Sequence, residues 1–267
     1  MSVLVTGAGR GVGRAVAEAF APGREVALVA RTAGELEQTA DLVRAAGGTP
    51  FVAVADITDL EALRTAITAV TTAMGPLEVL VNNAGTAGTR NELAHGDASN
   101  WRTVFEVNVL APAAMCSLVL PGMVARGRGY VINVASLQGS RAFNGSSAYG
   151  ASKAALMRMT DGLANELVGT GVVAFDVSPG LVRTAMTQEP HLAAMLADVD
   201  EQDWTPAART GEVLLALTSG RFDGLSGCFV HAEDDLEDLL LRMTDAQPDC
   251  RRLRMTPAGA QDPLFAD

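Results

Sequence analysis

The sequence predicts an α/β protein: one doubly wound domain on a seven-stranded parallel sheet with helices on both faces. Three observations carry this. The chain opens on a short apolar strand that runs into a glycine-rich turn and then a helix. Apolar strands and helices then alternate with short connections, the pattern of a parallel sheet. Polar and glycine-rich motifs fall just beyond the carboxyl ends of the strands, where open α/β sheets bind ligands. At 267 residues, 48% hydrophobic and 19% charged, the chain can bury a sizeable core and is too apolar for disorder.

Taken in order, Ser2–Thr6 reads as a buried strand, and Gly7-Ala8-Gly9-Arg10-Gly11-Val12-Gly13 leads from it into a helix. This is the context of a dinucleotide fingerprint. Glycines let backbone approach a pyrophosphate, and the helix N-terminus offers N–H donors and a positive dipole end. A second strand, Glu25–Ala30, ends at Arg31. An acid near this position suits the ribose of NAD, whereas an arginine accommodates the 2′-phosphate of NADP. Arg10 can reach the same phosphate, so NADP(H) is favoured over NAD(H).

A helix over Ala33–Ala46 leads to a third strand, Pro50–Ala55, closed by Asp56-Ile57-Thr58-Asp59. Thr58 or Asp59 caps the next helix, and Asp56 can accept from an adenine amino group. That helix, Leu60–Met74, stops at Gly75-Pro76, and a fourth strand, Glu78–Val81, delivers Asn82-Asn83-Ala84-Gly85. A long helical stretch over Asn100–Ala125 holds Asn108 in an apolar run, where a polar side chain needs partners. It bends the helix or serves a site. The fifth strand, Tyr130–Ala135, ends at Ser136, and the sixth, Val172–Val177, ends at Ser178-Pro179-Gly180 followed by Leu181-Val182-Arg183-Thr184. Cys228–His231 supplies the last strand, and an amphipathic Leu236–Met243 stretch precedes a tail over Gln247–Asp267.

Between strands five and six lies Tyr149-Gly150-Ala151-Ser152-Lys153, on a helix over Tyr149–Val168. Lys153 is the one lysine of a chain whose other basic residues are arginine, and Tyr149 is one of two tyrosines. Residues i and i+4 share a helix face, so phenol and ammonium are neighbours. An ammonium there is expected to lower the phenol pKa, making an acid/base pair for chemistry at an oxygen.

With these motifs assembled, residues 2–232 resemble the short-chain dehydrogenase/reductase family, and the joint spacing is specific. Thr6-Gly7-x-x-x-Gly11-x-Gly13 matches its cofactor turn, Asp56 its adenine-contacting acid, and Asn82-Asn83-Ala84-Gly85 its fourth-strand signature. Asn108, Ser136, Tyr149 and Lys153 match its catalytic tetrad in order, and Pro179-Gly180 and Thr184 its nicotinamide loop. The resemblance implies a Rossmann-type domain over 1–232, followed by an atypical C-terminal helix and tail over 233–267. It implies Tyr149 as general acid or base, Ser136 as donor to the substrate oxygen, and Lys153 as holder of the nicotinamide ribose that depresses the Tyr149 pKa. Asn108 would hold a water of a proton relay. Gly7, Arg10, Gly11, Val12, Gly13, Arg31, Asp56, Ile57, Asn83, Ala84, Gly85, Pro179, Gly180, Val182 and Thr184 would line the cofactor, with Tyr149 and Lys153 at its reactive end, and no metal is required.

The expected activity is hydride transfer between NADP(H) and a ketone or secondary alcohol, run as a reduction. An NAD-dependent alcohol dehydrogenase and a non-catalytic nucleotide-binding regulator are the alternatives, and intact Ser136, Tyr149 and Lys153 weigh against the regulator. Loops over Thr86–Ser99, Leu137–Ala148 and Ala185–Trp204 should line the substrate pocket, the last as an apolar lid or as a surface helix. Arg90 and Arg141 could meet an anionic substrate, although the plainer reading makes both surface residues.

A net charge of −11 argues against a nucleic-acid partner. Cys116, Cys228 and Cys250 are scattered, which supports neither a zinc site nor a disulfide framework. No leader and no stretch of membrane-spanning length is read, so a cytoplasmic protein without membrane contact is expected. A homodimer or homotetramer follows from the resemblance, a dimer through the helices around 101–125 and 149–168 being favoured because the C-terminal segment departs from the family. Arg251, Arg252 and Arg254 are read as a solvated tail or a subunit contact.

Overall fold

The strands are runs of Val, Leu, Ile and Ala without the polar alternation of a half-exposed sheet, as strands covered on both faces require. In the computed structural model, which describes residues 1–245 and 251–254, β1 (Ser2–Thr6), α1 (Gly11–Phe20), β2 (Glu25–Ala30), α2 (Ala33–Ala45), β3 (Thr49–Val54), α3 (Leu60–Met74) and β4 (Val79–Asn82) open the chain. There follow α4 (Ala98–Phe105), a π-turn over Glu106–Leu110, α5 (Ala111–Arg126), β5 (Gly129–Val134), α6 (Ser147–Glu166) and β6 (Val172–Ser178). The short α7 (Pro190–Met195), α8 (Ala207–Leu217), β7 (Phe229–His231) and α9 (Leu236–Asp245) complete it. The sheet has seven strands in the order β3-β2-β1-β4-β5-β6-β7. Every pairing is parallel.

The period of two along each strand divides the core. Val3 and Val5 point to one face, with Val16, Phe20, Leu36 and Leu214 of α1, α2 and α8. Leu4 points to the other, with Leu63 and Ile67 of α3 and Met115 and Met123 of α5. Each fully buried side chain of this size contributes about 1.5–3 kcal/mol. Leu236 and Leu239 bring α9 into the first cluster, so the C-terminal helix shares the main core. The tail from Gln247 lies outside the described residues except at 251–254.

Those four residues overturn the expectation of a solvated basic tail. Arg254 and Arg252 reach Asp161 on α6 at 2.7 and 3.4 Å, and Arg158 reaches it at 2.7 Å. Phe229 N–H donates to Arg251 O at 2.8 Å, which seats the segment against β7. The expectation that no stretch reaches membrane-spanning length is also corrected. Residues 98–126 form a 29-residue helical stretch that contains an 18-residue window of mean hydropathy 1.8. Met115, Cys116, Val119 and Met123 of this stretch pack into the sheet's second core cluster, as in a core helix.

A polar row crosses the sheet under α6. Asn82, Asn133 and Asp176 occupy successive strands in register. Asn82 Nδ2 donates to Asn133 Oδ1 at 2.9 Å, Asn133 Nδ2 to Thr160 Oγ1 at 2.8 Å, and Thr160 Oγ1 to Asp176 Oδ1 at 2.7 Å. Burial pushes the Asp176 carboxyl well above the usual carboxylate range, against the Thr160 hydrogen bond and the Lys153 charge, which pull it down. A carboxyl raised in this way contributes its stability below the unfolded pKa and loses it as pH climbs through the folded one. Asp176→Asn keeps an acceptor for Thr160, so near neutral pH it should stabilise the protein by roughly 1–3 kcal/mol. In calorimetry that gain should shrink towards the unfolded value of 3.8. A pH-independent difference would mean the carboxyl does not titrate there.

Candidate active site

The crossover from β3 back to β4 reverses the direction of strand addition, leaving a crevice between β1 and β4 at their carboxyl ends. Side chains tie its two banks together. Thr6 Oγ1 accepts from Asn83 N at 3.0 Å and Ala84 N at 3.1 Å, and Asn83 Nδ2 returns a bond to Thr6 O at 2.9 Å. From outside, Arg14 holds Gly9 O at 2.6 Å and Thr39 Oγ1 holds Ala8 O at 3.0 Å. Gly7 turns at φ +64, which a side chain rarely adopts. A Cβ on Gly13 would lie 2.3 Å from Gly7 O. The N-terminus of α1 has no side-chain cap and no acid in its first turn, so its N–H groups are left for an anion.

Every residue predicted for the site, except Asn108, lines one cavity of about 1120 Å³. It runs from Arg31, Asp56 and Ile57, past the glycine turn and Asn83–Gly85, to Ser136, Tyr149, Lys153 and the Pro179–Thr184 loop. The three expected loops contribute Thr86, Ala87 and Arg90; Leu137, Gln138, Phe143 and Ser146; and Met186, Leu192, Met195 and Trp204. Leu192 and Met195 of α7 thus border the cavity, while Ala193 and Ala194 are exposed as on a surface helix. Arg183 stacks 4.1 Å from the Trp204 ring centroid and pairs with Glu201, bracing that segment.

Asn108 lies behind the wall, fully buried in the π-turn. Its Oδ1 accepts from Thr86 N at 2.8 Å, while Nδ2 donates to Thr86 O at 2.8 Å and Ser152 Oγ at 3.0 Å. The side chain joins the β4 loop to α6, spending both amide hydrogens and one of the two acceptor positions of Oδ1. Thr58 and Asp59 divide the work left open between them. Asp59 caps α3 through Glu61 N and Ala62 N, and Thr58 instead binds Asp56 Oδ1 at 2.9 and 2.8 Å. Those bonds, the Thr58 N–H foremost, and Arg31 hold the Asp56 carboxyl below the usual range against its partial burial.

The electrostatics at the reactive end correct one expectation. The net shift of the Tyr149 pKa is upward, opposite to the direction expected from Lys153 alone. Its Nζ lies over the phenol ring, 5.7 Å from the centroid, and donates to Val134 O at 2.7 Å. Burial pushes Tyr149 up, while the Ser136 hydroxyl and the charge of Arg90 pull it partly back. Burial also brings Lys153 down to about 8, with Asp176 acting to raise it. The result is a phenol that keeps its proton at neutral pH beside the Ser136 hydroxyl.

A profile of the short chain dehydrogenase family matches residues 1–193. The chain belongs to this family. Among curated relatives of this short-chain dehydrogenase, ketoacyl reductase HetN of Nostoc sp. is 37% identical over 195 residues, covering 72% of this chain and 68% of that one. Gluconate 5-dehydrogenase of Gluconobacter oxydans is 34% identical over 215 residues, covering 79% and 82%. The solved structure of levodione reductase aligns with a TM-score of 0.80 at 25% identity, covering 86% of this chain and 95% of that one. The protein is therefore an oxidoreductase whose family uses a nicotinamide cofactor, and the glycine cradle and open helix end described above fit that group.

Sequence reasoning passed over Glu35 of this cavity wall and, in its plainer reading, took Arg90 for a surface residue. Glu35 lies against Gly9 and pairs with Arg10 at 3.4 Å, so Arg10 does not stand free for a phosphate. Arg90 is half-buried, whereas Arg141 is exposed as expected. Neither position has a local sequence signal, because both depend on contacts between distant segments. Gly13→Ala should weaken nicotinamide cofactor binding at least ~10-fold through the forced shift of the turn, a strain of about 1–3 kcal/mol. Gly34→Ala, which meets nothing within 4 Å, should leave it unchanged. Calorimetric titration of both variants checks this, and equal affinities would mean the turn does not approach the cofactor.

Proposed function

We propose that this dehydrogenase is an NADP(H)-dependent reductase of ketones, interconverting a ketone and its secondary alcohol. The observation that carries the reading is the placement of Ser136 and Tyr149 together on the wall at the reactive end of the cavity, with the Lys153 ammonium over the phenol ring. A carbonyl oxygen seated there accepts from both hydroxyls. As charge gathers on that oxygen the two hydrogen bonds strengthen, and Tyr149 delivers its proton. Its raised pKa suits an acid that must stay protonated until the carbonyl arrives. The nicotinamide, when bound, supplies the hydride. Lys153 spends one donor on Val134 O and keeps others for ribose hydroxyls. Relatives named for ketoacyl reduction and gluconate oxidation support carbonyl and alcohol chemistry.

Arg10 and Arg31 support NADP(H). Their partners, Glu35 at 3.4 Å and Asp56 at 3.8 Å, form exposed pairs of low worth, which a dianionic phosphate can displace. Glu35 favours a second reading, an NAD-dependent alcohol dehydrogenase, because a carboxylate near the ribose end repels a 2′-phosphate. For partners we propose a small-molecule substrate and a second copy of the chain against α5 and α6, in the cytoplasm, with neither nucleic acid nor membrane.

NADPH should bind more tightly than NADH in fluorescence titrations, and Arg31→Asp should weaken NADPH at least ~10-fold while sparing NADH. Tighter NADH would move the assignment to the NAD reading. Tyr149→Phe keeps the ring and removes the proton. Turnover should fall at least ~10²-fold with cofactor affinity unchanged; an active Phe variant would sink the assigned acid.

A further inference from the structure

One positive charge on the cavity wall faces no carboxylate among the described residues. Arg90 stands in the loop between β4 and α4, half-buried, and lines the cavity together with Thr86, Ser146 and Tyr149. One of its terminal nitrogens donates to Ser146 Oγ, and its Nε is buried without a partner. Among the described residues it has no ion pair, whereas Arg10, Arg31 and Arg183, which line or flank the same cavity, each face a carboxylate. The ionisable group that acts on it is the Tyr149 phenol, which is neutral when protonated.

A guanidinium does not escape this situation by losing its proton, and a desolvated cation is costly until an anion completes the pair. Its planar fork matches a carboxylate. Ser146, which holds the fork, lies three residues before Tyr149, hence about one helical pitch, ~5 Å, from the residue assigned as proton donor. An anion seated on Arg90 therefore lies only a few bonds from a carbonyl seated on Tyr149 and Ser136.

We propose that Arg90 is a substrate-binding residue that recognises a carboxylate carried by the ketone, so that the substrate class is a 2- or 3-oxo acid. The proposal rests on the reductase reading for its carbonyl, and on Arg90 alone for its carboxylate. A carboxylate at this position completes the ion pair that the protein leaves open and fixes which end of the substrate meets the phenol. A neutral ketone of the same length gains neither.

The test compares 3-oxohexanoate with its methyl ester. Wild-type kcat/KM with NADPH should favour the acid by at least ~10-fold, and Arg90→Met should abolish that preference, chiefly through KM. Arg90→Lys should restore part of it. Loss of acid and ester turnover in equal measure would overturn the proposal, since the charge would then act through Tyr149. A second readout needs no turnover: 3-oxohexanoate is titrated into the protein and followed by the fluorescence of Trp204, which lines the same cavity. Affinity unchanged in Arg90→Met, or in Arg90→Gln should the Met variant fail to fold, overturns the proposal. Arg90-dependent binding without reduction of either compound supports the carboxylate site and removes the reductase reading. Reduction of both compounds at equal rates, insensitive to Arg90, leaves the reductase reading and removes this one.

Discussion

The cavity depends on the bonds between Thr6 and Asn83. A parallel sheet that changes its direction of growth has two neighbouring strands whose connections leave in opposite directions, and the gap they leave is held open or shut by whatever joins them. Here one hydroxyl takes two backbone N–H groups of the β4 loop, and one amide returns a bond to β1. The glycine turn is therefore fixed relative to Asn83–Gly85, and Gly13 can pack on Gly7 O at a distance that excludes any side chain. Everything further along the cavity takes its position from that junction: Asn108 ties Thr86 to α6, and α6 carries Tyr149 and Lys153.

The reactive end is built against the grain of folding. Lys153 and Asp176 are both buried, and burial works against the charge of each. Neither is satisfied by a close ion pair. The polar row of Asn82, Asn133 and Thr160 instead brings a hydrogen bond to the Asp176 carboxyl, and Val134 O takes one from the ammonium. The core clusters on both faces of the sheet offset this cost. Such an arrangement keeps a proton-handling group responsive, where a closed salt bridge would lock it.

Most of this was legible from residue order because it is local. Strand-length apolar runs, glycine turns and the polar residues just after each strand gave the sheet and all but one of the cavity-lining residues named in advance. What escaped notice depends on contacts between distant segments. The π-turn that withdraws Asn108 is invisible in a continuous apolar helix pattern. The direction of the Tyr149 shift turned on burial outweighing a neighbouring charge, and i, i+4 spacing reports only the neighbour. Glu35 reads as an ordinary first-turn acid of α2 until Gly9 is seen beside it. The tail arginines looked solvated because Asp161, their partner, lies some ninety residues earlier.

That last contact gives the end of the chain an unexpected reach. Asp161 sits two turns along α6 from Lys153, and three guanidiniums converge on it, two of them from residues beyond 250. The terminal segment thus acts as a brace on the far half of the helix that presents the phenol and ammonium. A truncation before Arg251 would leave a buried carboxylate facing Arg158 alone. Substitutions at Arg252 and Arg254 would therefore be felt along α6 as far as the reaction centre.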